Sequence, residues 1–245
     1  MKAVVEINNE KFVCTKIEHG EGSNSTCYLL NDDKVLKIYH SDILDYNVVY
    51  EENLAPLLEI KNGTFIFPER MFTNDEGIVT GYISPFIKGE TLVDSSDSPL
   101  IKDFVEQIDS VYQDILSISK KGVFTCEMGA KNIIFNGKFY IIDTDTYFII
   151  NSIPEQMCLS HNLAMFNESI LDYIVRQEKI DQNLFAFINK NSVLRTLWID
   201  MTSKEDAKPL LKEFICELKS ELESIHNTDI ETFDDFHKVF RRVRR

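Results

Sequence analysis

No two of the five cysteines (14, 27, 126, 158 and 216) are close enough to form a C-x-x-C pair, and their number is odd. Neither a disulfide framework nor a zinc site is therefore expected, and reduced thiols fit a cytoplasmic protein. Positive charge is scarce, with 26 Lys and Arg against 40 Asp and Glu, for a net charge of -14. That balance argues against nucleic acid or an anionic membrane as the main partner, because either would be repelled. Long apolar runs are missing too, and none approaches the roughly 18 residues of a spanning helix. The opening M-K-A-V-V-E-I meets charge at Glu6 before the apolar core of a secretory signal can form. No internal repeat or low-complexity tract is visible. What the chain has is core-forming material: 44% hydrophobic residues, 17 Phe among them, in 245 residues. This is enough for one domain or two closely packed lobes.

Up to about residue 90 the pattern is short β-type runs between turn signals: K-F-V-C-T-K-I, C-Y-L-L, K-V-L-K-I-Y, G-T-F-I-F and G-I-V-T-G-Y-I. N-D-D (31–33) and N-D-E-G (74–77) mark tight turns, and residues 42–60 have helical spacing that Pro56 bends or interrupts. A five-stranded sheet with one helix after its third strand is the expectation. Beyond V-D-S-S-D-S-P (93–99), Phe104, Ile108, Val111, Ile115 and Ile118 recur at three- and four-residue steps over 100–120, an amphipathic helix. Next come N-I-I-F and K-F-Y-I-I, joined by Asn136-Gly137, a type I′ hairpin signal. From residue 161 helices dominate: 161–174, D-Q-N-L-F-A-F-I, and A-K-P-L-L-K-E-F-I-C-E-L-K-S-E-L. The class is α+β, a β-rich small lobe (1–86) followed by a helical large lobe (87–245), with a cleft between.

Five features come in an order that phosphate chemistry can explain. G-E-G-S-N-S-T-C (20–27) is a turn whose Gly20 and Gly22 can bring backbone N–H groups close to phosphates, or an ordinary hairpin turn. Lys37 lies among apolar residues in V-L-K-I-Y, either exposed or a buried ammonium in need of an anion. Glu51 in E-E-N-L-A-P-L-L points off the packed face and can pair with Lys37; Glu52 is the alternative partner, and a solvated helix charge the plain reading. Glu127 precedes Asn132 in C-E-M-G-A-K-N. Asp143-Thr144-Asp145 follows the hairpin, which returns Asp143 towards Asn132; amide and carboxylate oxygens are what Mg²⁺ takes. Asp145 either adds to such a site or caps the next turn. The terminal R-R-V-R-R (241–245) is a solvated tail or a docking patch for an acidic partner.

In this order the motifs resemble the protein-kinase-like superfamily over residues ~10 to ~175, closest to compact bacterial kinase-like domains with a G-D-x-N-x-x-N loop and a D-x-D-[ST]-[FY] metal motif. Asp143-Thr144-Asp145-Thr146-Tyr147 matches the second of these. F-I-F-P-E-R-M-F…G-Y-I-S-P-F-I-K-G (65–89) resembles the strand-to-hinge segment, and H-N-L-A-M-F-N-E-S-I-L the first large-lobe helix after the active site. The resemblance implies a bilobal fold binding ATP and Mg²⁺. Lys37 would contact the phosphates and pair with Glu51, and Asn132 and Asp143 would hold the metal. Gly20, Gly22, Ser25 and Cys27 belong to the loop over the phosphates. Ser84 takes the back of the adenine pocket, and Pro85, Phe86 and Ile87 the hinge. A hinge needs a carbonyl at its first position and an N–H at its third, so proline at the first loses nothing. Glu127 would take the proton of a hydroxyl acceptor, on a protein or a small molecule.

The departures are specific. Ser25 replaces the loop's third glycine, and Thr125-Cys126-Glu127 replaces His-Arg-Asp, leaving no arginine for an activation-loop phosphate. Gly129 replaces the lysine two residues beyond the base, and no Ala-Pro-Glu follows. Only 16 residues lie between Asp145 and Asn162, too few for the usual peptide platform. Glutamate carries its carboxylate one methylene further out than aspartate, and a misplacement of ~1 Å can cost about 10²-fold in rate. Two functions therefore remain: an active phosphotransferase, or a pseudokinase that binds nucleotide and engages a partner. Transfer of a nucleotide in place of a phosphate is a third.

Overall fold

Alternation shapes the start of the chain: in K-A-V-V-E-I the side chains of Ala3, Val5 and Ile7 turn inward while Lys2, Val4 and Glu6 face solvent. The computed structural model describes residues 2–22, 24–40, 48–176 and 181–241. Contacts divide the chain into two units, Met1–Lys88 with Ile142–Ile149, and Gly89–Ile141 with Ile150–Arg245. The break at Lys88 falls two residues from the expected boundary, and the D-T-D-T-Y motif groups with the first unit.

The first unit is a six-stranded antiparallel sheet with one helix. Its strands are β1 (Lys2–Ile7), β2 (Glu10–Glu21), β3 (Ser25–Leu30), β4 (Lys34–Tyr39), β5 (Arg70–Thr73) and β6 (Val79–Pro85), in the order β1-β2-β3-β4-β6-β5. Asn8 and Asn9 both take positive φ (49° and 63°) between paired Ile7 and Glu10, as a two-residue type I′ turn requires. N-D-D turns as expected, with Asn31 and Asp32 at φ 53° and 63°. Asn74 closes the other turn by accepting from the N–H groups of Glu76 (3.0 Å) and Ile78 (2.9 Å).

Six strands replace the expected five because β1 and the four-residue β5 join the sheet, while G-T-F-I-F does not. Asn62 Oδ1 accepts from the N–H groups of Thr64 and Phe65, both at 2.9 Å, and the segment keeps an isolated bridge at Phe65 in place of a strand. Its apolar content serves ring packing instead: Phe65 and Phe67 stack at 6.4 Å, and each meets Tyr147 edge-on. Helix α1 spans Glu51–Leu58, burying Leu54 and Leu57, and ends two residues past Pro56. The expected helical stretch at 42–47 lies outside the described residues.

The second unit is helical around a small hairpin. Helix α2 (Ile101–Ser119) buries Phe104, Ile108, Val111, Ile115 and Ile118, the five residues its periodicity singled out. After β7 (Val123–Phe124) come the hairpin strands β8 (Ile133–Phe135) and β9 (Phe139–Ile141). Their connection is not the expected type I′ turn. Phe135 pairs with Phe139, leaving a three-residue loop in which Gly137 takes positive φ (88°) and Asn136 does not. The unit continues through α3 (Glu155–Arg176), α4 (Gln182–Lys190), α5 (Ser192–Thr202), α6 (Leu211–His226) and α7 (Phe233–Arg241). Helix α3 starts six residues earlier than expected, and α5 and α7 are additions. Asp181 and Asn191 cap α4 and α5 by accepting backbone N–H groups, which explains two helices separated by one residue. At the core, Phe104 meets Phe135, Phe139 and Phe233 at 4.5 to 5.1 Å. No helix among the described residues is long and apolar enough to cross a membrane.

Candidate functional site

Strand β4 carries Lys37 between Cys27 of β3 and Tyr82 of β6, its register partners. The residue is 7% exposed, so its ammonium has little water and needs counter-charge. Two carboxylates of the first unit supply it. Nζ donates to Asp143 Oδ1, and to both oxygens of Asp145 at 3.2 Å each. Asp145 is held further by two phenols: Tyr39 donates to Oδ2, and Tyr82 donates to Oδ1 at 2.9 Å. The same two rings flank the ammonium, with Nζ 5.5 Å and 5.4 Å from their centroids.

The backbone explains how two aspartates reach one lysine. Asp143 adopts the left-handed conformation (φ 62°) and Thr144–Thr146 follows as one turn of 3₁₀ helix. The Thr144 hydroxyl donates to Ile66 O (2.8 Å), and Tyr147 packs on Phe65 and Phe67, so the motif is pinned on both sides. A non-glycine residue held at positive φ by its surroundings marks a place to look for function.

Electrostatically the two aspartates differ. Burial pushes Asp145 up, but the Lys37 charge and the two tyrosine hydroxyls outweigh it and hold the carboxyl below its ordinary range. Burial raises Asp143, the Asp145 charge adds to this, and Lys37 opposes both; the net direction is upward. Burial alone would lower Lys37, yet Asp145 and Asp143 hold it above the usual lysine value. Burial pushes the Cys27 thiol up to about 11, with Lys37 partly opposing. Asp145 spends both oxygens on Lys37, Tyr39 and Tyr82. Asp143 has a side chain 43% exposed and only one oxygen bound to Lys37, so it is the carboxylate suited to a hard cation.

In the second unit, Thr125-Cys126-Glu127 is fastened by Asn162, which is fully buried on α3. Asn162 Oδ1 accepts from Thr125 N and Oγ1, both at 3.0 Å, while Nδ2 donates to Ser119 Oγ (2.9 Å) and Val123 O (2.8 Å). His161 stacks on Phe124 at 3.9 Å with Nε2 3.0 Å from Thr125 O. Glu127 is exposed and also left-handed (φ 51°). Asn132 closes the loop, its Nδ2 donating to Glu127 O (3.2 Å). That donation leaves Oδ1 as the oxygen able to accept a cation.

The remaining expected residues are placed as follows. Gly20 lies at the end of β2, and Gly22 N donates to Ser25 O (2.9 Å) in the turn to β3; Ser23 is outside the described residues. Ser25 is buried. Ser84 and Pro85 end β6 opposite Val35 and Lys34. The Phe86 N–H donates to Asp33 O (2.8 Å), so it is already engaged, and the partly buried Ile87 follows. Glu51 departs from expectation. It is exposed at the start of α1, its N–H donates to Gly77 O (3.0 Å), and among the described residues Lys37 pairs with Asp143 and Asp145 in its place. Glu52 is likewise exposed. Sequence reasoning passed over Tyr39, although two residues beyond Lys37 on one strand is the same face. Tyr82 and Asn162 carry no local signal, since strand register and helix packing bring them in. Compared with known proteins, the chain matches no family model and no curated protein.

Proposed function

We propose that the chain is an ATP- and Mg²⁺-dependent phosphotransferase with a bilobal kinase-like fold, passing the γ-phosphate to a hydroxyl acceptor. The observation that carries this reading is the buried Lys37 ammonium bonded to Asp143 of D-T-D-T-Y, a lysine and a metal-type carboxylate brought together in one unit. Lys37 would bind phosphate oxygens, as a desolvated ammonium does strongly. Asp143 keeps an oxygen that would serve Mg²⁺, and the resemblance implies Asn132 as a second ligand; the ion would supply positive charge that offsets developing charge on the phosphates. Glu127 would take the acceptor's proton as its oxygen bonds to the γ-phosphorus and the bond to ADP breaks. Glu127, standing where the resemblance expects aspartate, leaves a second reading, a nucleotide-binding module with little transfer.

Titration with Mg·ATP and with ATP alone, on wild type, Lys37→Met and Asp143→Asn, tests the site. The expectation is Mg²⁺-dependent binding that both variants weaken; binding indifferent to all three changes refutes it. Mass spectrometry of γ-phosphate turnover then separates the readings. Transfer abolished by Glu127→Gln and kept by Glu127→Asp supports the enzyme, and a different added mass would reveal nucleotide transfer. Mg²⁺-dependent binding without turnover supports the module.

A further inference from the structure

We infer that Asp145 is the positioning residue for Lys37, replacing the helix glutamate, and that the two aspartates divide their work. Asp145 holds the lysine permanently, while Asp143 is the exchangeable partner that turns to the metal. The inference rests on the nucleotide reading above for its functional half. Its structural half rests on three observations. The Asp145 side chain is 2% exposed against 43% for Asp143, so one is sealed inside the unit and the other faces solvent. Both Asp145 oxygens bond to Nζ and each accepts a second hydrogen bond, from Tyr39 and from Tyr82, leaving no lone pair directed at solvent. Glu51, the residue spaced for that role, is exposed and engages Gly77 only through its backbone.

The arrangement answers a physical problem. A lysine that must grip phosphates needs fixing in place, and a partner that also bound the metal would release it whenever the metal arrived. A carboxylate locked by two phenols remains when Asp143 is drawn away. Tyr39 and Tyr82 act one step further out: they fix the carboxylate that fixes the ammonium, and their rings limit where Nζ can go.

Two double-mutant cycles on the full chain test this, one read by urea unfolding without nucleotide and one by Mg·ATP affinity. Lys37→Met and Asp145→Asn should each weaken Mg·ATP binding about tenfold to 100-fold, the range for losing a charge-assisted bond. The double variant should be no weaker than Lys37→Met alone, and the unfolding cycle should be non-additive as well. Glu51→Gln should leave affinity within about twofold and be additive with Lys37→Met. If Asp145→Asn does not fold, Tyr82→Phe removes one donor to Oδ1 and carries the same cycle, weakening binding in wild type and not in Lys37→Met. Additive cycles, or a Glu51→Gln loss equal to that of Lys37→Met, overturn the inference. Binding lost in Lys37→Met yet intact in Asp145→Asn overturns it while sparing the nucleotide reading. A non-additive unfolding cycle in a chain that binds no ATP sinks the nucleotide reading, and with it the positioning role, while leaving the ion pair real.

Discussion

Replacing Asn162 by alanine is the sharpest perturbation of the Glu127 loop that leaves Glu127 itself untouched. The amide makes two bonds to Thr125 and donates to Ser119 and Val123, all between 2.8 and 3.0 Å, in a fully buried position. Not every partner is stranded by its loss. Val123 O still accepts from the Cys158 thiol, and Ser119 Oγ still donates to Ile115 O. The Thr125 N–H has no such substitute, and a stranded buried donor costs about 1–3 kcal/mol. Adding a net ~0.5–1.5 kcal/mol for each of the three further bonds lost gives about 3–7 kcal/mol in all. Urea unfolding followed by the single tryptophan reads it, because Trp198 packs on Phe185 and Phe214 within the same unit. Asn162→Asp supplies the control. At neutral pH it buries an unpaired charge and is at least as damaging. As pH falls its carboxyl becomes neutral and able to donate to Val123 O, so its deficit from wild type narrows, whereas that of Asn162→Ala does not. A cost below about 1 kcal/mol for the alanine variant, or parallel pH profiles for the two, would refute the hub.

Gly81→Ala places a methyl 2.5 Å from Lys37 O and 2.9 Å from Ile7 Cδ1, whereas at Gly22 the nearest atom is 3.8 Å away. Calorimetry should show about 1–3 kcal/mol lost by the first and little by the second; equal costs would contradict the close approach of β6 to β4. Asp235 accepts from the N–H groups of Glu231 and Thr232 and from the Thr232 hydroxyl. Burial opposes its charge, but Lys238 and these donors bring its pKa to about 2. A lowered carboxyl stabilises above its unfolded value, near 3.8, and loses this as pH falls towards 2. Asp235→Asn should therefore cost about 2 kcal/mol at pH 7, and its unfolding curve should merge with wild type near the acid limit. Cys27, with its thiol at about 11, should alkylate far more slowly at pH 7.5 than the exposed Cys216. Peptide mapping showing Cys27 labelled first would reverse that.

The helix α2 was legible because nineteen residues give its 3.6-residue period room to declare itself. Strand β5 was not: four residues with one buried side chain carry too little alternation. G-T-F-I-F misled because a run of aromatic and β-branched residues signals burial, and burial here comes from ring packing. At the candidate site, Lys37 was recognisable as an ammonium in need of an anion. Which anion was not, because Asp143 and Asp145 lie 106 and 108 residues further along the chain while Glu51 was near at hand. Asp145 stood between an addition to the metal site and a turn cap, because its phenolic partners come from two other strands. Local pattern locates the charge, and only the tertiary fold chooses its partner.

The grouping of Ile142–Ile149 with a unit that otherwise ends at Lys88 gives the protein an order of birth. When synthesis has delivered β1 to β6, Lys37 has its strand but no counter-charge, and sealing an unpaired ammonium costs several kcal/mol. Closing the sheet over it carries that cost until Asp143 and Asp145 arrive, after the whole of α2 and the hairpin has been made. The segment that completes the charge thus also removes the main penalty on closing the first unit.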